Sequence, residues 1–382
     1  MTLQPTKEDI AVESVYAVEQ HGGKSQAARA LGITRNAIRY RLAQAYSRYG
    51  MQPHSPRVPV PEGQRIGKNT IAVDAAGRVG TQWARLSPTQ ECLEAWVDGM
   101  IDAVDGKAKR IPRPKRKTVS VDVAQVIIGD PHAGMYAWAK ETGSDYDLSI
   151  FKRVHYNAIC NLIDRAGPVK EIIFTWLGDL MHSDHRNGTT QSGHILDMDG
   201  RIGAVMDAVQ DVVNSAIAYA AGKARKVTVL LIPGNHDGVS NKWIQRLTAA
   251  YWRQTKHIYV PVFEENRYYL QRGSNMLMAH HGDKIQAPRL ALLAAQEEPK
   301  MWAATQYRFC DSGHVHNSKR LAPAFDIDES PGLTVEYHRV MAGLEAYGAE
   351  CGYSARRMMK CRLLSHKFGD LGMLHTTAEM LA

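Results

Sequence analysis

This sequence of 382 residues has no apolar stretch that approaches the ~18 residues needed to span a membrane. Its N-terminus lacks a charged head followed by an apolar core, so we expect no secretory signal. Its five cysteines are scattered and form no C-x-x-C pair, which argues against a disulfide framework and against a thiolate zinc site. These absences favour a protein of the reducing cytoplasm that is not embedded in a membrane.

Acidic residues are absent between Lys107 and Lys117, a stretch that holds seven Lys or Arg and two prolines. It is too polar and too often interrupted by proline to be predicted as a core element. We interpret it as a basic linker, either a solvated spacer or an arm that binds nucleic acid. The whole chain has a net charge of +8, which favours polyanionic partners.

The linker separates two regions with different patterns. Downstream of residue 119, apolar strand-like runs alternate with helical patterns, as in α/β enzymes. Upstream, residues 66–106 predict a hairpin around residues 74–77, followed by an amphipathic helix from about Pro88 to Val104. We therefore predict a helix-turn-helix domain over residues 1–50, a linker segment with this hairpin, helix and basic stretch over residues 51–118, and a catalytic domain over residues 119–382.

The first fifty residues have the pattern of three short helices. Apolar residues recur at helical spacing up to residue 18, a second helix from Ser25 to Leu31 closes on Gly32, and Thr34 can cap a third. A helix, a glycine-bearing turn and a polar third helix predict a helix-turn-helix. A small bundle used for dimerisation is the alternative.

The run from Gly23 to Leu42 resembles the Fis-type helix-turn-helix, and this resemblance implies that DNA is a partner. In that family the third helix enters the major groove, where Arg and Asn side chains can make paired hydrogen bonds with base edges. The residues expected at DNA are Arg35, Asn36 and Arg39 as base readers, and Lys24, Ser25 and Arg41 nearer to phosphates. Such modules often bind as symmetric dimers, so a homo-oligomer is a further expectation.

Five short clusters of His, Asp and Asn follow five apolar runs in the α/β region. The runs are Val123 to Ile128, Ile172 to Trp176, Val227 to Ile232, Met276 to Ala279 and Phe309 to Ser312, and the clusters are Asp130-Pro131-His132, Gly178-Asp179, Gly234-Asn235-His236-Asp237, His280-His281-Gly282-Asp283 and Gly313-His314-Val315-His316. Carboxylate, amide and imidazole groups are ligands for hard or borderline divalent cations. A single such cluster is more simply read as core or surface residues. Five clusters at strand ends predict one rim that holds two metal ions and clamps a phosphoryl group.

In order and spacing, the clusters resemble those of the calcineurin-like metallophosphoesterase superfamily, over roughly residues 120–345. The resemblance implies an α/β fold, a metallophosphoesterase sandwich of two mixed β-sheets flanked by helices, here with a small N-terminal all-α helix-turn-helix domain added. It also implies two divalent metal ions. We expect Mn²⁺, with Fe, Zn and Ni as alternatives.

The same resemblance implies a role for each residue of the clusters. The expected ligands are Asp130, His132 and His316 for the first metal, Asn235, His281 and His314 for the second, and Asp179 as the bridge between them. His236 is expected to give a proton or a hydrogen bond to the leaving oxygen, with Asp237 orienting its ring. The fourth cluster leaves a choice between His280 and His281, and the family pattern favours His281 because it directly precedes glycine.

The residues behind the bridging aspartate resemble those of phosphoesterases encoded in bacteriophage and prophage genomes, which are often fused to a DNA-binding segment. The similar runs extend from His182 to Thr190 and from Asp197 to Arg201. Four side chains of the first run, His182, Asp184, His185 and Arg186, are candidates for the substrate cleft, with Arg186 on a phosphate. A solvated surface loop is the alternative. If the gene is phage-borne, the cytoplasm would be that of a bacterial host.

The leading hypothesis for function is a metal-dependent phosphodiesterase that hydrolyses DNA, a nuclease in which a metal-bridging hydroxide attacks phosphorus. A second hypothesis is a phosphatase or a small-molecule or nucleotide phosphodiesterase localised by the helix-turn-helix, because superfamily motifs fix the reaction class and not the substrate. A third is a DNA-binding regulator whose α/β domain senses metal or nucleotide. Hydrolysis of a phosphodiester compared with a monoester, and then of DNA, separates the three.

Overall fold

The structure is a computed structural model of the 382-residue chain. It describes residues 7–21, 23–48, 64–73, 79–88, 90–115, 119, 121–185, 188–189, 195–315, 327–330, 332–350, 352 and 356–381. Two predicted site residues, Arg186 and His316, lie outside these ranges.

The chain divides into two compact units, Met1–Gly99 and Met100–Ala382, and the division falls within the helix Gln90–Val104. The first unit contains α1 (Lys7–His21), α2 (Lys24–Ala30), α3 (Arg35–Arg48), β1 (Gln64–Val73), β2 (Val79–Pro88) and the first part of α4 (Gln90–Val104). The domain boundaries near residues 50 and 118 stay predictions.

The three N-terminal helices pack around a small apolar core, as the sequence predicts. Its buried side chains are Ala17, Ala27, Ala28, Ile38 and Leu42. Alanine at α2 lets the helices approach closely. Gly32 adopts a φ of 63° in the turn that follows, a conformation that favours glycine. The hydroxyl of Thr34 accepts a hydrogen bond from the nitrogen of Ala37 at 3.1 Å, so Thr34 caps α3.

The predicted hairpin and amphipathic helix are also present. β1 and β2 pair antiparallel, with Gln64 opposite Pro88 and Ile71 opposite Gln82. The helix that follows begins at Gln90, two residues later than predicted. The predicted turn over residues 74–77 lies outside the described residues.

The second unit contains the remaining elements. They are β3 (Val121–Ile128), α5 (Ala139–Thr142), α6 (Leu148–Ala166), β4 (Val169–Trp176), α7 (Ile202–Lys223), β5 (Lys226–Leu231), α8 (Ser240–Trp252), β6 (Ile258–Tyr259), β7 (Arg267–Arg272), β8 (Asn275–His280), α9 (Ala287–Glu297), α10 (Pro299–Ala304), β9 (Tyr307–Ser312), β10 (Ile327–Ser330), β11 (Leu333–Tyr337), α11 (Ala346–Glu350), β12 (Met358–Ser365), β13 (Gly369–Thr377) and a 3₁₀ helix (Ala378–Leu381). Each of the five predicted apolar runs coincides with a strand, apart from Ile232, which follows the end of β5 by one residue. Of the helices in the described part of the chain, none combines the length and apolar character of a membrane span.

A six-stranded mixed sheet has the order β13-β12-β3-β4-β5-β6, in which β3 to β6 are parallel and β12 is antiparallel to β3. Strands β3, β4 and β5 are buried along most of their length, because parallel sheets require cover on both faces. On one face, Val126 of β3 shares a core with Ile159 of α6 and Val209 of α7. The segment after residue 345 supplies β12 and β13.

A five-stranded mixed sheet has the order β10-β11-β9-β8-β7, with β8, β9 and β11 parallel. It covers the other face of the six-stranded sheet. Ile127, Ile173 and Leu230 of the larger sheet share a buried core with Leu270 and Leu277 of the smaller one. The fold is therefore the predicted sandwich of two mixed sheets flanked by helices.

A buried network of charged groups also joins the two sheets. The guanidinium of Arg362 on β12 donates to Asp311 on β9 at 2.9 Å and to Glu336 on β11 at 2.7 Å. The amide nitrogen of Gln125 on β3 donates to Asp311 at 2.8 Å, and His338 Nε2 lies 2.8 Å from the same carboxylate. Asp311, Glu336 and His338 are residue types that could hold a metal ion. Here the Arg362 guanidinium already supplies the positive charge that these carboxylates require.

Candidate active site

The five clusters predicted to converge lie at the carboxyl ends of parallel strands. β3, β4 and β5 are parallel neighbours in the larger sheet, and β8 and β9 are parallel neighbours in the smaller one. The first three clusters begin two or three residues after the ends of β3, β4 and β5. The fourth overlaps the end of β8, and the fifth follows β9 directly. The sandwich therefore gathers side chains from both sheets at one edge, which is where α/β proteins usually place their ligands.

His281 lies at the centre of the gathered side chains. Its Nε2 is 3.1 Å from Asp179 Oδ2 and 2.8 Å from Asn235 Oδ1. Candidate ligand atoms of Asp179, His281 and His314 all lie within 4.8 Å of one another. The backbone nitrogen of His314 donates a hydrogen bond to Asp130 Oδ2 at 2.6 Å, which connects the first cluster to the fifth.

The other ring nitrogen of His281 fixes the orientation of the imidazole. Nδ1 lies 2.8 Å from the carbonyl oxygen of Leu177, and a carbonyl can only accept, so Nδ1 carries a hydrogen. Nε2 is therefore the atom presented to Asp179 and Asn235. Histidines that bind metals usually donate their second N–H to a carbonyl or carboxylate in this way.

The neighbouring His280 is directed away from this group. Its Nε2 lies 2.6 Å from the hydroxyl of Ser312, and the side chain is buried. Burial, and then the charge of His281, lower the pKa of His280 to about 4, so this ring is neutral at physiological pH. Of the two histidines, the structure thus brings His281 and not His280 to the cluster.

A second group of imidazoles lies beside the first. Candidate ligand atoms of His132, His182 and His236 are within 4.8 Å of one another, and the Nδ1 atoms of His132 and His182 are 3.2 Å apart. The rings of His182 and His236 are stacked, with centroids 5.5 Å apart. His236 Nδ1 lies 2.8 Å from the carbonyl oxygen of His182 and so donates to it, which leaves Nε2 as the atom able to exchange a proton with a substrate.

The expected role of Asp237 requires a correction. Its carboxylate accepts hydrogen bonds from the nitrogens of Leu180 at 2.8 Å and Gly234 at 2.7 Å, and Asn241 Nδ2 lies 3.4 Å away. The ring of His236 is oriented by the His182 carbonyl instead. Asp237 is fully buried, and its two oxygens bind the backbone of Gly234 in the third cluster and of Leu180, the residue after the second cluster. Its carboxylate therefore connects these two clusters.

Backbone strain is concentrated at this edge of the sandwich. Among the described residues other than glycine, positive φ angles occur at Asp130 (29°), His132 (46°), Asp179 (47°) and His314 (65°). Each of these four residues was predicted from sequence to be a metal ligand. Such conformations cost about 1–3 kcal/mol each and persist where the surrounding structure enforces them, often at functional sites.

The carboxylates and the imidazole at the centre of the cluster shift each other's pKa values. Burial acts to raise the pKa of Asp179, but the hydrogen bond and charge of His281 outweigh it and lower the pKa to about 2. Burial acts to lower the pKa of His281, but Asp179 and Asp130 raise it to about 10. A proton on His281 therefore supplies positive charge between these carboxylates. Burial and the Asp179 carboxylate raise the pKa of Asp237 to about 7.

Glycines allow the clusters to approach one another. A Cβ atom on Gly178 would lie 2.6 Å from His281 Nδ1, a Cβ on Gly234 would overlap the carboxylate and backbone nitrogen of Asp179, and a Cβ on Gly313 would overlap the Asp130 carboxylate. Each glycine belongs to one of the predicted clusters. Glycine is required at these positions because the neighbouring backbone must pass directly over a site side chain.

Gly234→Ala tests this close approach. We expect the added methyl group to displace Asp179 and to reduce both metal affinity and hydrolysis by about 10–100-fold, the range seen when the support of a metal ligand is removed. Metal titration and a phosphodiester hydrolysis assay measure the two effects. Gly203→Ala in α7 is the matched control, since a Cβ there meets nothing within 4 Å. Equal behaviour of the two variants would contradict the argument.

Residues 125–319, which are 195 of the 382 residues, match the family model of the calcineurin-like phosphoesterases. The chain belongs to this family. Residues 17–44 match the Fis family of bacterial regulatory proteins. No curated protein matches the chain.

Two solved structures are similar to this phosphoesterase. One is a conserved uncharacterized protein from Streptococcus pneumoniae, a predicted phosphoesterase, with 12% identity, a TM-score of 0.27, and coverage of 68% of this chain and 99% of the other. The second is a 5'-nucleotidase precursor from Thermus thermophilus, with 11% identity, a TM-score of 0.34, and coverage of 68% of this chain and 55% of the other. The chain thus spans about half the length of the nucleotidase precursor. The family assignment rests on the match over residues 125–319.

The remaining predicted residues of this phosphoesterase have different environments. His185 is exposed, and Asp184 caps α8 by accepting from the nitrogens of Val239 and Ser240 at 2.8 and 2.9 Å. Asp184 is therefore a structural cap rather than a cleft residue. The predicted DNA contacts Lys24, Ser25, Arg35, Asn36 and Arg39 are exposed, and Arg41 is half-buried.

Sequence reasoning missed some residues that support the site. The hydroxyl of Tyr146 donates to the carbonyl of Pro131 at 2.6 Å and holds the first cluster from a loop beyond α5. Glu345 Oε2 lies 3.9 Å from His182 Nε2. Neither residue is adjacent in sequence to a cluster, so only the fold could reveal them.

Proposed function

We propose that this protein is a two-metal-dependent phosphodiesterase that hydrolyses DNA phosphodiester bonds. The observation that carries the proposal is the convergence of Asp130, Asp179, Asn235, His281 and His314 at one edge of a calcineurin-like phosphoesterase fold. Family membership supports metal-dependent phosphoester hydrolysis. The DNA substrate is inferred from the Fis-type helix-turn-helix in the same chain.

The donor set fits two divalent cations. In our proposal Asp130, His132 and His316 would hold the first metal, Asn235, His281 and His314 would hold the second, and the Asp179 carboxylate would be shared by both. These are oxygen and imidazole donors without thiolate, a set suited to manganese, which we propose as the metal, and also to iron, zinc or nickel. When bound, two such cations polarise the phosphoryl oxygens and activate the attacking water.

A residue of the chain itself protonates the leaving group in this proposal. As the oxygen of a water molecule bonds to phosphorus, that water gives up one proton, the bond from phosphorus to the leaving oxygen breaks, and the leaving oxygen takes up one proton. In this proposal His236 gives that proton from Nε2, which is supported by the contact of its Nδ1 with the His182 carbonyl. The stacked His182 ring restricts rotation of His236.

The helix-turn-helix supplies the DNA contacts in this proposal. The exposed Arg35, Asn36 and Arg39 on α3 would read base edges, and Lys24, Ser25 and Arg41 would contact phosphates. Binding as a homo-oligomer on paired half-sites, a cytoplasmic location and descent from a phage-encoded branch belong to the same proposal and stay predictions.

Variants of the site test the proposal. Full-length protein with His236→Ala should hydrolyse DNA in manganese about 10²-fold more slowly, and Asp130→Ala should be inactive. Both should bind DNA normally, since the helix-turn-helix is unchanged. His375→Ala, an exposed histidine on β13, is the control.

The outcomes separate the proposed function from its alternatives. Full cleavage by either site variant would contradict the assignment of these residues. Hydrolysis of a para-nitrophenyl monoester without hydrolysis of the bis-para-nitrophenyl diester or of linear and circular DNA would favour a phosphatase. DNA binding by metal-loaded protein without any phosphoester hydrolysis would favour a regulator.

A further inference from the structure

A cavity of about 760 Å³ lies at the amino ends of the parallel strands of the six-stranded sheet, whereas the clusters lie at their carboxyl ends. It opens between the amino ends of β4 and β5, the end of α7 and the chain that precedes β3. Its lining is rich in cations, namely Arg113, Lys115, Lys170, Lys223, Arg225, Lys226 and Arg272. Strand β3 has eight residues, so the cavity and the catalytic edge are separated by ~26 Å along the sheet.

The acidic groups of the region neutralise only part of this charge. Lys170 pairs with Asp122, and Lys223 with Asp164 at 2.7 Å. Glu171 is shared, since Arg272 donates to both of its oxygens and Lys226 lies 3.3 Å from one of them.

Among the described residues, four positive charges of the lining remain in excess, one of them because Lys226 and Arg272 share Glu171. Within the part of the chain that the structure describes, Arg113, Lys115 and Arg225 form no ion pair. The nitrogen Nε of Arg113 donates to the backbone carbonyl of Arg225 at 2.7 Å, which holds the Arg113 guanidinium against the chain at the start of β5.

The basic stretch of the sequence is attached to this surface. Residues 107–115 form neither helix nor strand, but Ala108 is buried and its nitrogen donates to the carbonyl of Tyr251 at 3.2 Å. Ile111 packs against the main core. The intervening cations are directed to solvent: Lys107, Lys109, Arg110, Arg113 and Lys115 are all exposed. The stretch is therefore not a free spacer over these residues, and its cations follow one another in a row along a segment attached at Ala108 and Ile111.

We propose that this row and the adjoining cavity, together called the basic strip, bind the phosphodiester backbone of DNA without regard to sequence. The cations continue beyond the cavity to Lys107, Lys109 and Arg110, and an extended row of charges matches a polymer of phosphates better than a single small anion. The basic strip lies in the same compact unit as the catalytic clusters, so it retains substrate independently of base reading by the helix-turn-helix.

The geometry sets a length for the DNA that the strip can help to hold. At ~3.4 Å per base pair, a separation of ~26 Å corresponds to about 8 base pairs. Only longer DNA can contact the basic strip and the catalytic edge at once. This length dependence rests on the proposed nuclease function, whereas backbone binding does not.

A charge-neutralising triple variant of the full-length protein tests the inference. Arg113→Gln, Lys115→Gln and Arg225→Gln are compared with the control Arg153→Gln, Arg289→Gln and Lys300→Gln, which removes the same charge from exposed positions elsewhere. Binding of a 30-base-pair duplex of arbitrary sequence is measured by fluorescence anisotropy from about 50 to 200 mM salt. The same comparison in an Arg35→Ala, Asn36→Ala, Arg39→Ala background removes the contribution of the base readers.

The strip variant should bind at least about tenfold more weakly, and the slope of log affinity against log salt should fall by about 2–3, while the control stays near the parent protein. Hydrolysis of bis-para-nitrophenyl phosphate should be unchanged in both. Equal slopes in the two variants would overturn the inference. So would loss of inorganic phosphate binding, measured by calorimetry, without any change in DNA binding, because the cavity would then be a small-anion site. If binding changes but no DNA is hydrolysed, the strip stands and the nuclease proposal fails.

Discussion

Asp179→Asn should reduce phosphodiester hydrolysis by about 10³-fold or more, because it removes the charge that two cations would share. In the unsubstituted protein, the backbone nitrogen of His236 donates to Asp179 Oδ1 at 2.8 Å. Asparagine has nearly the same size as aspartate and keeps an oxygen that can accept this hydrogen bond. The fold should therefore persist. Without the carboxylate, the pKa of His281 loses the strongest influence that raises it, and the site loses one negative charge.

Metal content and activity must be measured on the same sample. We expect elemental analysis to find fewer than two bound metal ions per chain in Asp179→Asn, with hydrolysis of the bis-para-nitrophenyl diester lost in parallel. Asp122→Asn provides the control, since Asp122 pairs with Lys170 at the other end of β3. A fully active Asp179→Asn variant with two metals would show that Asp179 does not bridge them.

The fold could be predicted from sequence where local patterns dominate. β3, β4 and β5 are continuous apolar runs, and buried parallel strands require that pattern. β12 escaped prediction because its place depends on a partner more than 200 residues away, with Leu363 opposite Ala124. In the sequence, Arg362 near the middle of this strand indicates a solvent-exposed position. In the structure it pairs with Asp311 and Glu336.

The site divides in the same way. Ligand candidates such as Asp179 and His281 were identifiable because the order and spacing of the clusters carry the signal. The group that orients the His236 ring could not be identified from the sequence, because it lies in the loop that follows another strand, β4. The carbonyl of His182 reaches the ring from 54 positions away, while the adjacent Asp237 is directed to the nitrogens of Leu180 and Gly234. Adjacency in sequence was a poor guide to which group orients the imidazole.

The second large effect concerns stability, and Arg362→Met should lower the free energy of unfolding by about 3–5 kcal/mol. Arg362 is fully buried between the sheets, and its removal leaves the carboxylates of Asp311 and Glu336 without their guanidinium partner. Methionine fills much of the volume, so the loss is mainly electrostatic. Urea unfolding in the presence of a chelator measures it without a contribution from metals.

The effect should depend on pH with a definite sign. Burial acts to raise the pKa of Asp311, but Arg362 and His338 outweigh it and hold the pKa far below its usual value. A depressed pKa stabilises the fold above the unfolded value of about 3.9 and loses that contribution as pH falls through the folded value. In Arg362→Met this contribution is diminished. The difference between the two proteins should therefore be largest near neutral pH and narrow below about pH 4.

Two comparisons distinguish lost pairing from lost packing. Lys152→Met removes an exposed pair with Asp211 and should cost no more than about 1 kcal/mol. Adding Asp311→Asn and Glu336→Gln to Arg362→Met removes the carboxylate charges that have lost the guanidinium and should recover part of the stability, since a buried pair replaced as a whole is often neutral. If the triple variant is no more stable than Arg362→Met at any pH, packing and not charge explains the loss. That result would also mean that the network joins the sheets by shape alone.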